Sequence, residues 1–91
     1  MTMHYVYVLR SSVDGNFYVG YTANLKSRLI LHNSGEVAST KNRIPLSLVY
    51  YEASRSKKDA MHRERYLKTT YGRRYIRERL KHYLAENPRT E

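Results

Sequence analysis

A run of alternating Val and Tyr, interrupted near Asp-Gly and then resumed, constrains this chain more than any other stretch. It reads Tyr5-Val6-Tyr7-Val8-Leu9, then Asp14-Gly15, then Phe17-Tyr18-Val19-Gly20-Tyr21-Thr22. Two β-branched and aromatic runs joined through Asp-Gly predict a β-hairpin. With Asp14 and Gly15 at the centre of a two-residue turn, Val13 faces Asn16. Tyr5, Tyr7 and Leu9 then share a face with Tyr18, Gly20 and Thr22, while Val6, Val8, Phe17, Val19 and Tyr21 take the other. One face is apolar and the other carries phenols. Gly20 interrupts the phenolic face, and a strand glycine usually marks a bulge or the close approach of another group. The expectation is a group docking above Gly20. The plainer alternative is a hairpin whose tyrosines simply cover a half-buried core.

A chain of 91 residues without cysteine makes one small domain with neither disulfides nor a Cys-based zinc site. The expected layout is a single domain over residues 1–86 and a frayed tail over 87–91, since Pro88 ends any helical tendency. No apolar stretch is long enough to span a bilayer, and the opening residues lack the regions of a signal peptide. A soluble, cytoplasmic protein with no membrane partner is therefore expected.

Seventeen Lys and Arg against eight Asp and Glu give a formal charge of +9. From Arg55 onward there are twelve basic and five acidic residues, so +7 of that surplus lies in the C-terminal part. On so small a domain this points to a polyanion, most often nucleic acid. Phosphate neutralisation is largely blind to sequence, so the charge names a class of partner only. The ten tyrosines suit stacking on bases and equally suit a small core.

Asn24 is the expected N-cap of a helix over Leu25–His32, stopped at Asn33-Ser34-Gly35. Arg28 and His32 lie four apart and so project from one helix face. Both also fit a bland role, Arg28 as a solvated cation and His32 as a half-buried helix-end residue. Residues 36–45 read as an exposed loop with Lys41 and Arg43 as candidate phosphate contacts, and Leu46–Glu52 as a third strand. Ser56 opens a helix from Lys57 to about Thr69, on which Ala60, Glu64, Leu67 and Tyr71 follow the spacing of an inward stripe. Glu64 thus stands where a core residue belongs, and an inward carboxylate must be paired or bound to a metal. A structural ion pair with one of the arginines is the alternative. A last helix is expected from Gly72 or Arg73 to Ala85, buried along Ile76, Leu80, Tyr83 and Leu84 and decorated by Arg73, Arg74 and Arg77.

These residues resemble the GIY-YIG nuclease superfamily, and within it the short stand-alone bacterial proteins. Tyr5-Val6-Tyr7 and Tyr18-Val19-Gly20 look like the two halves of its motif. Thr22, Leu25, Arg28 and His32 are similar to its first-helix pattern, and Ala60, Arg63-Glu64 and Leu67-Lys68 to its second. The resemblance runs from about His4 to about Tyr83. Two departures stand out: Tyr5 replaces the first glycine of the motif's name, and Tyr21 stands where many family nucleases carry lysine.

The resemblance implies an α+β fold, a three-stranded antiparallel sheet flanked by about three helices. It also implies a divalent-metal-dependent endonuclease. Tyr7, Tyr18, Arg28, His32 and Glu64 would be catalytic, with Glu64 holding Mg²⁺ or Mn²⁺. Arg28 would clamp the scissile phosphate, and Tyr7 would take the proton of the attacking water if nearby cations favour its phenolate or His32 relays the proton. Gly20, Tyr21, Lys41, Arg43, Arg73, Arg74 and Arg77 are the candidate nucleic-acid contacts. The implied partner is DNA, single-stranded or branched, met in repair or recombination, with a partner protein supplying specificity. The alternative function is an accessory binding module of the same fold that cleaves weakly or not at all.

Overall fold

The computed structural model describes residues 2–88. Its centre is a three-stranded antiparallel sheet in the order β2-β1-β3, formed by β1 (His4–Ser11), β2 (Phe17–Thr22) and β3 (Leu46–Ser54). Tyr7 pairs with Gly20 and Leu9 with Tyr18. The register is therefore two residues from the one a two-residue turn would give. Ser11 pairs through its amide with the Asn16 carbonyl, leaving a four-residue loop in which the Gly15 amide reaches back to the Ser11 carbonyl with Gly15 at φ 70. Glycine takes that left-handed turn position without the penalty a side chain would bring. Because the displacement is even, every side chain keeps its expected face.

Both faces of the sheet are covered. On one, Val6, Val8 and Val19 pack with Ala60 and Leu67 of α2 (Lys57–Leu67) and Ile76 of α3 (Thr70–Arg79). On the other, Tyr7, Leu9 and Leu46 pack with Tyr18, with Leu25 and Leu29 of α1 (Leu25–Asn33), and with Ile44. The phenolic face is thus a second core rather than an open surface. In β3, Val8 faces Tyr50 and Leu9 faces Leu48, so Val49 is an extra residue. This bulge lets Val49 and Tyr50 both join the α2 side.

Asn24 caps α1 through the Ser27 amide, and the Gly35 and Glu36 amides close its far end on the His32 and Leu31 carbonyls. The segment at 36–45 is not simply exposed: Thr40 is fully buried and Ile44 packs into the second core. Ser56 caps α2, and Thr69 caps α3 through the Gly72 amide. Gly72 lies against the Tyr66 carbonyl and the Leu67 backbone, where no Cβ would fit, so α3 can fold directly back on α2. Tyr71, expected in the inward stripe, is 71% exposed, because α2 has ended and α3 starts a new helical phase.

The expected last helix is two. Leu80 leaves helical geometry at φ −105 and ψ 21 to pack on the first core, and α4 (Lys81–Glu86) follows. This turns Tyr83 beneath the Arg10 guanidinium, 5.6 Å from the ring centroid. Asn87, expected to fray, has its carbonyl held by Arg10 Nη1 at 2.6 Å. Residues 89–91 of that tail lie outside the described residues. Among the described residues no helix is long and apolar enough to cross a membrane.

Candidate active site

Tyr7 comes from the central strand, and its ring lies across Gly20 on the neighbouring strand. A Cβ on Gly20 would collide with Tyr7 Cζ and Oη and reach Cε1 at 3.0 Å. The group that docks above Gly20 is therefore the chain's own phenol. Gly20 is buried beneath it, which corrects its placing as an open nucleic-acid contact.

From this seat Tyr7 Oη meets His32 Nε2 at 2.8 Å, and Arg28 Nε donates to the same oxygen in a long contact of 3.4 Å. The spacing of four along α1 is what delivers both side chains to one atom. Tyr18 completes the cluster, its ring edge-on to His32 at 5.2 Å and its hydroxyl accepting from Ser39 at 3.3 Å. His32 is fully buried, and its Nδ1 meets Thr40 Oγ1 at 2.7 Å. Ser39 and Thr40 gave no signal in the sequence, being small polar residues in an aperiodic segment.

Two hydroxyls, those of Tyr7 and Thr40, compete for the one acceptor nitrogen of a neutral His32. Among the described residues the Thr40 hydroxyl has no other side-chain partner. With Nε2 protonated, Thr40 donates to Nδ1 and Nε2–H donates to Tyr7 Oη; with Nδ1 protonated, Tyr7 donates to Nε2 and Thr40 accepts. Burial pushes the Tyr7 phenol above its ordinary value of 10.0, outweighing the Arg28 hydrogen bond that pulls it down. Burial, and then the Arg28 charge, push the His32 imidazole below its ordinary 6.5. Of the two conditions set for Tyr7 as a base, a phenolate favoured by nearby cations is not met at rest: desolvation outweighs Arg28, and both groups rest neutral at pH 7.

Glu64 extends from α2, its side chain 16% exposed, and its charge is one of the groups that raise Tyr7. Its ion-pair partner is Lys68 Nζ at 3.2 Å, one helical turn on, rather than an arginine. Arg63, adjacent in sequence, turns away to grip Glu52 at 2.9 and 3.0 Å. No group of three His, Cys, Asp or Glu side chains converges among the described residues. The donor set is thus a single carboxylate with lone pairs to spare. It fits a hydrated magnesium-like ion, which keeps several waters and takes one or two carboxylates, and does not fit a fully protein-caged metal.

Beside Tyr7 and Arg28 lies a crevice of about 10 Å³, on the scale of a single water. A cleft of about 600 Å³ at the free edge of β2 has Phe17, Tyr18, Arg43, Lys68, Arg73 and Arg77 among its lining residues. The other expected contacts behave differently. Arg43 is committed to Asp14 at 2.8 Å and to the Asn16 carbonyl at 3.2 Å. Its guanidinium holds the Asp14 carboxyl below its usual range. Tyr21 lies on the α2 side, hydrogen-bonded to His4 Nδ1 at 2.7 Å, so it does not share the Tyr7 face. Lys41 is exposed, and Arg74 lies over the Tyr71 ring, outside the cleft lining.

The family described as the GIY-YIG catalytic domain matches residues 3–79. A UPF0213 protein of Staphylococcus haemolyticus is 46% identical over 76% of this chain and 84% of its own length. A UPF0213 protein of Bacillus licheniformis is 40% identical over 97% of this chain and 94% of its own. The solution NMR structure of a UPF0213 protein from Bacillus halodurans superposes with a TM-score of 0.51 at 36% identity, covering 81% of each chain.

Proposed function

Because the chain belongs to the GIY-YIG catalytic domain family, a family of nucleases, we propose that it is an endonuclease hydrolysing phosphodiester bonds of DNA with a divalent cation, Mg²⁺ or Mn²⁺. The observation that carries the reading is the meeting of Arg28 and His32 on the Tyr7 oxygen, with the Glu64 charge within electrostatic reach. Hydrolysis needs a deprotonated water, neutralisation of the charge growing on the phosphate oxygens, and stabilisation of the departing 3′ oxygen. A divalent cation bound at Glu64 would supply charge neutralisation at that leaving oxygen.

The chain's own residues supply the rest. Arg28 binds the non-bridging oxygens with its fork of N–H donors, while its Nε stays near Tyr7. The phenolate form of Tyr7, once formed, accepts from Arg28 Nε–H and from His32 Nε2–H, and it takes the proton of the attacking water. Tyr18 orients water or phosphate at the mouth of the cleft. Since burial favours the neutral phenol, the working base is a minor species at pH 7 and the rate climbs with pH.

One feature favours the reading of a non-cleaving binding module: Glu64 is already neutralised by Lys68. Labelled single-stranded, duplex and branched DNA, incubated with Mg²⁺, with Mn²⁺ and with EDTA, separates the two. Metal-dependent cutting that Glu64→Ala abolishes bears out the nuclease. Binding without cutting under every metal leaves the module. Cutting that survives Glu64→Ala sinks the assignment of Glu64.

A further inference from the structure

The cleft along β2 differs chemically from a generic basic patch. Its lining combines the half-buried Phe17 ring, with Leu67 and Ile76 of the first core behind it, and the cationic side chains of Arg73 and Arg77. Neither arginine has an ion-pair partner among the described residues, in contrast to Arg43 and Lys68. The Arg77 guanidinium lies over the Phe17 ring, 5.9 Å from its centroid. Four residues separate the two arginines on α3, so both overhang the same side. The cleft also adjoins the candidate active site at two points, since Tyr18 lines it and Lys68 is the partner of Glu64.

Bases inside a duplex are stacked and paired, and show a protein only their groove edges and phosphates. Such a substrate would use the arginines and leave the Phe17 ring without a partner. An unpaired base offers a flat π-face, which aromatic rings and guanidinium planes match without regard to sequence. The volume of about 600 Å³ falls within the range of roughly 300–1,000 Å³ for pockets that enclose a small organic ligand.

We propose that this cleft holds an unpaired nucleotide of a single strand beside the scissile phosphate, with its base against Phe17 and Arg77 and its phosphates on Arg73 and Arg77. The proposal rests on the reading of the protein as one that engages nucleic acid, and it narrows the substrate to strands with at least one unstacked base next to the cut. It gives a function to the free edge of β2, where the Phe17 ring meets a base that a duplex would keep stacked.

The test is a binding titration in EDTA, so that it does not depend on cleavage. Fluorescence anisotropy is measured with labelled oligothymidylate, the matching oligouridylate, an abasic strand of equal length, and a duplex. Wild-type protein should bind a base-bearing strand about tenfold more tightly than the abasic strand. Phe17→Leu, which keeps an apolar side chain and removes the π-face, should erase most of that preference. Arg73→Gln with Arg77→Gln should weaken both strands and flatten the salt slope by about 1.4, the value for two phosphate contacts on a single strand. Lys57→Gln, remote from the cleft, should change neither.

Base preference with either sugar bears the proposal out, and the tighter strand identifies the chemical source. Equal affinity for base-bearing and abasic strands, a preference for duplex, or a base preference that survives Phe17→Leu in protein with a wild-type far-UV spectrum overturns it. A cleaving enzyme with no base preference would sink the cleft alone, and a base-dependent binder that never cuts would sink the nuclease reading alone.

Discussion

Thr40→Val isolates the contact that orients His32. Valine has nearly the shape of threonine, and Thr40 is fully buried, so the substitution opens little cavity; what it removes is the hydroxyl that meets Nδ1 at 2.7 Å. Whichever tautomer the ring then adopts, Nδ1 is left buried and unpartnered, at a cost of about 1–3 kcal/mol. For a domain of this size each kcal/mol moves Tm by about 4–8 °C, so the melt should fall by at least about 4 °C. Circular-dichroism melts at pH 7 check this, beside Thr40→Ser, which restores the hydroxyl and should recover most of the loss. Imidazole ¹⁵N shifts give a readout that general destabilisation would not move, because they report which ring nitrogen carries the proton, and they should differ between the wild type and the valine variant. A Thr40→Val protein that melts within about 2 °C of wild type with an unchanged imidazole spectrum would refute the role of the Thr40 hydroxyl in orienting His32.

Other outcomes follow from the same geometry. If Tyr7 is the base, the logarithm of the cleavage rate rises with a slope of about one between about pH 7 and pH 9, because its raised pKa lies above that window. A flat wild-type profile, or a slope that persists in Tyr7→Phe, removes Tyr7 from that role. Arg28→Ala should lower single-turnover cleavage by about 10²–10³ while DNA affinity in EDTA changes far less, because its contact strengthens in the transition state; equal losses in both measurements would make it a binding residue only. Asp14 titrates below its ordinary value, so its contribution is complete above about pH 4 and fades as the pH falls through the folded value. Acid should therefore raise amide exchange in the segment at 36–45 near that pH, and Asp14→Asn should make exchange there insensitive to pH over the same range.

Much of the site was legible because its residues break local rules. Gly20 is a glycine inside a strand, Glu64 a carboxylate in an apolar stripe, and Arg28 with His32 a polar pair beside buried leucines. Each anomaly could be read from spacing alone, and the strand alternation survived a misjudged turn because the register error was even. Thr40 and Ser39 were not legible, since a small polar residue in an aperiodic segment looks the same whether it meets water or a buried imidazole. The break at Leu80 was hidden for a different reason: the side-chain pattern suits one long helix, and the interruption is set by packing on the first core and by Arg10, distant in sequence. The charge of Arg43 misled in the same way, because its partner Asp14 lies across the fold on the hairpin loop.

The contact between Tyr7 and Gly20 also limits how this site can change by mutation. Any side chain at position 20 meets the ring carbon Cζ as well as the hydroxyl, so replacing Tyr7 by Phe frees no room. Only loss of the whole ring would accommodate Gly20→Ala, and that loss removes the atom on which Arg28 and His32 converge. A suppressor screen starting from Gly20→Ala should therefore recover folded proteins altered at position 7 that no longer have a phenol to orient. Stability and the arrangement of the site cannot be restored together by one second change at that pair, and the two positions behave as a single heritable unit.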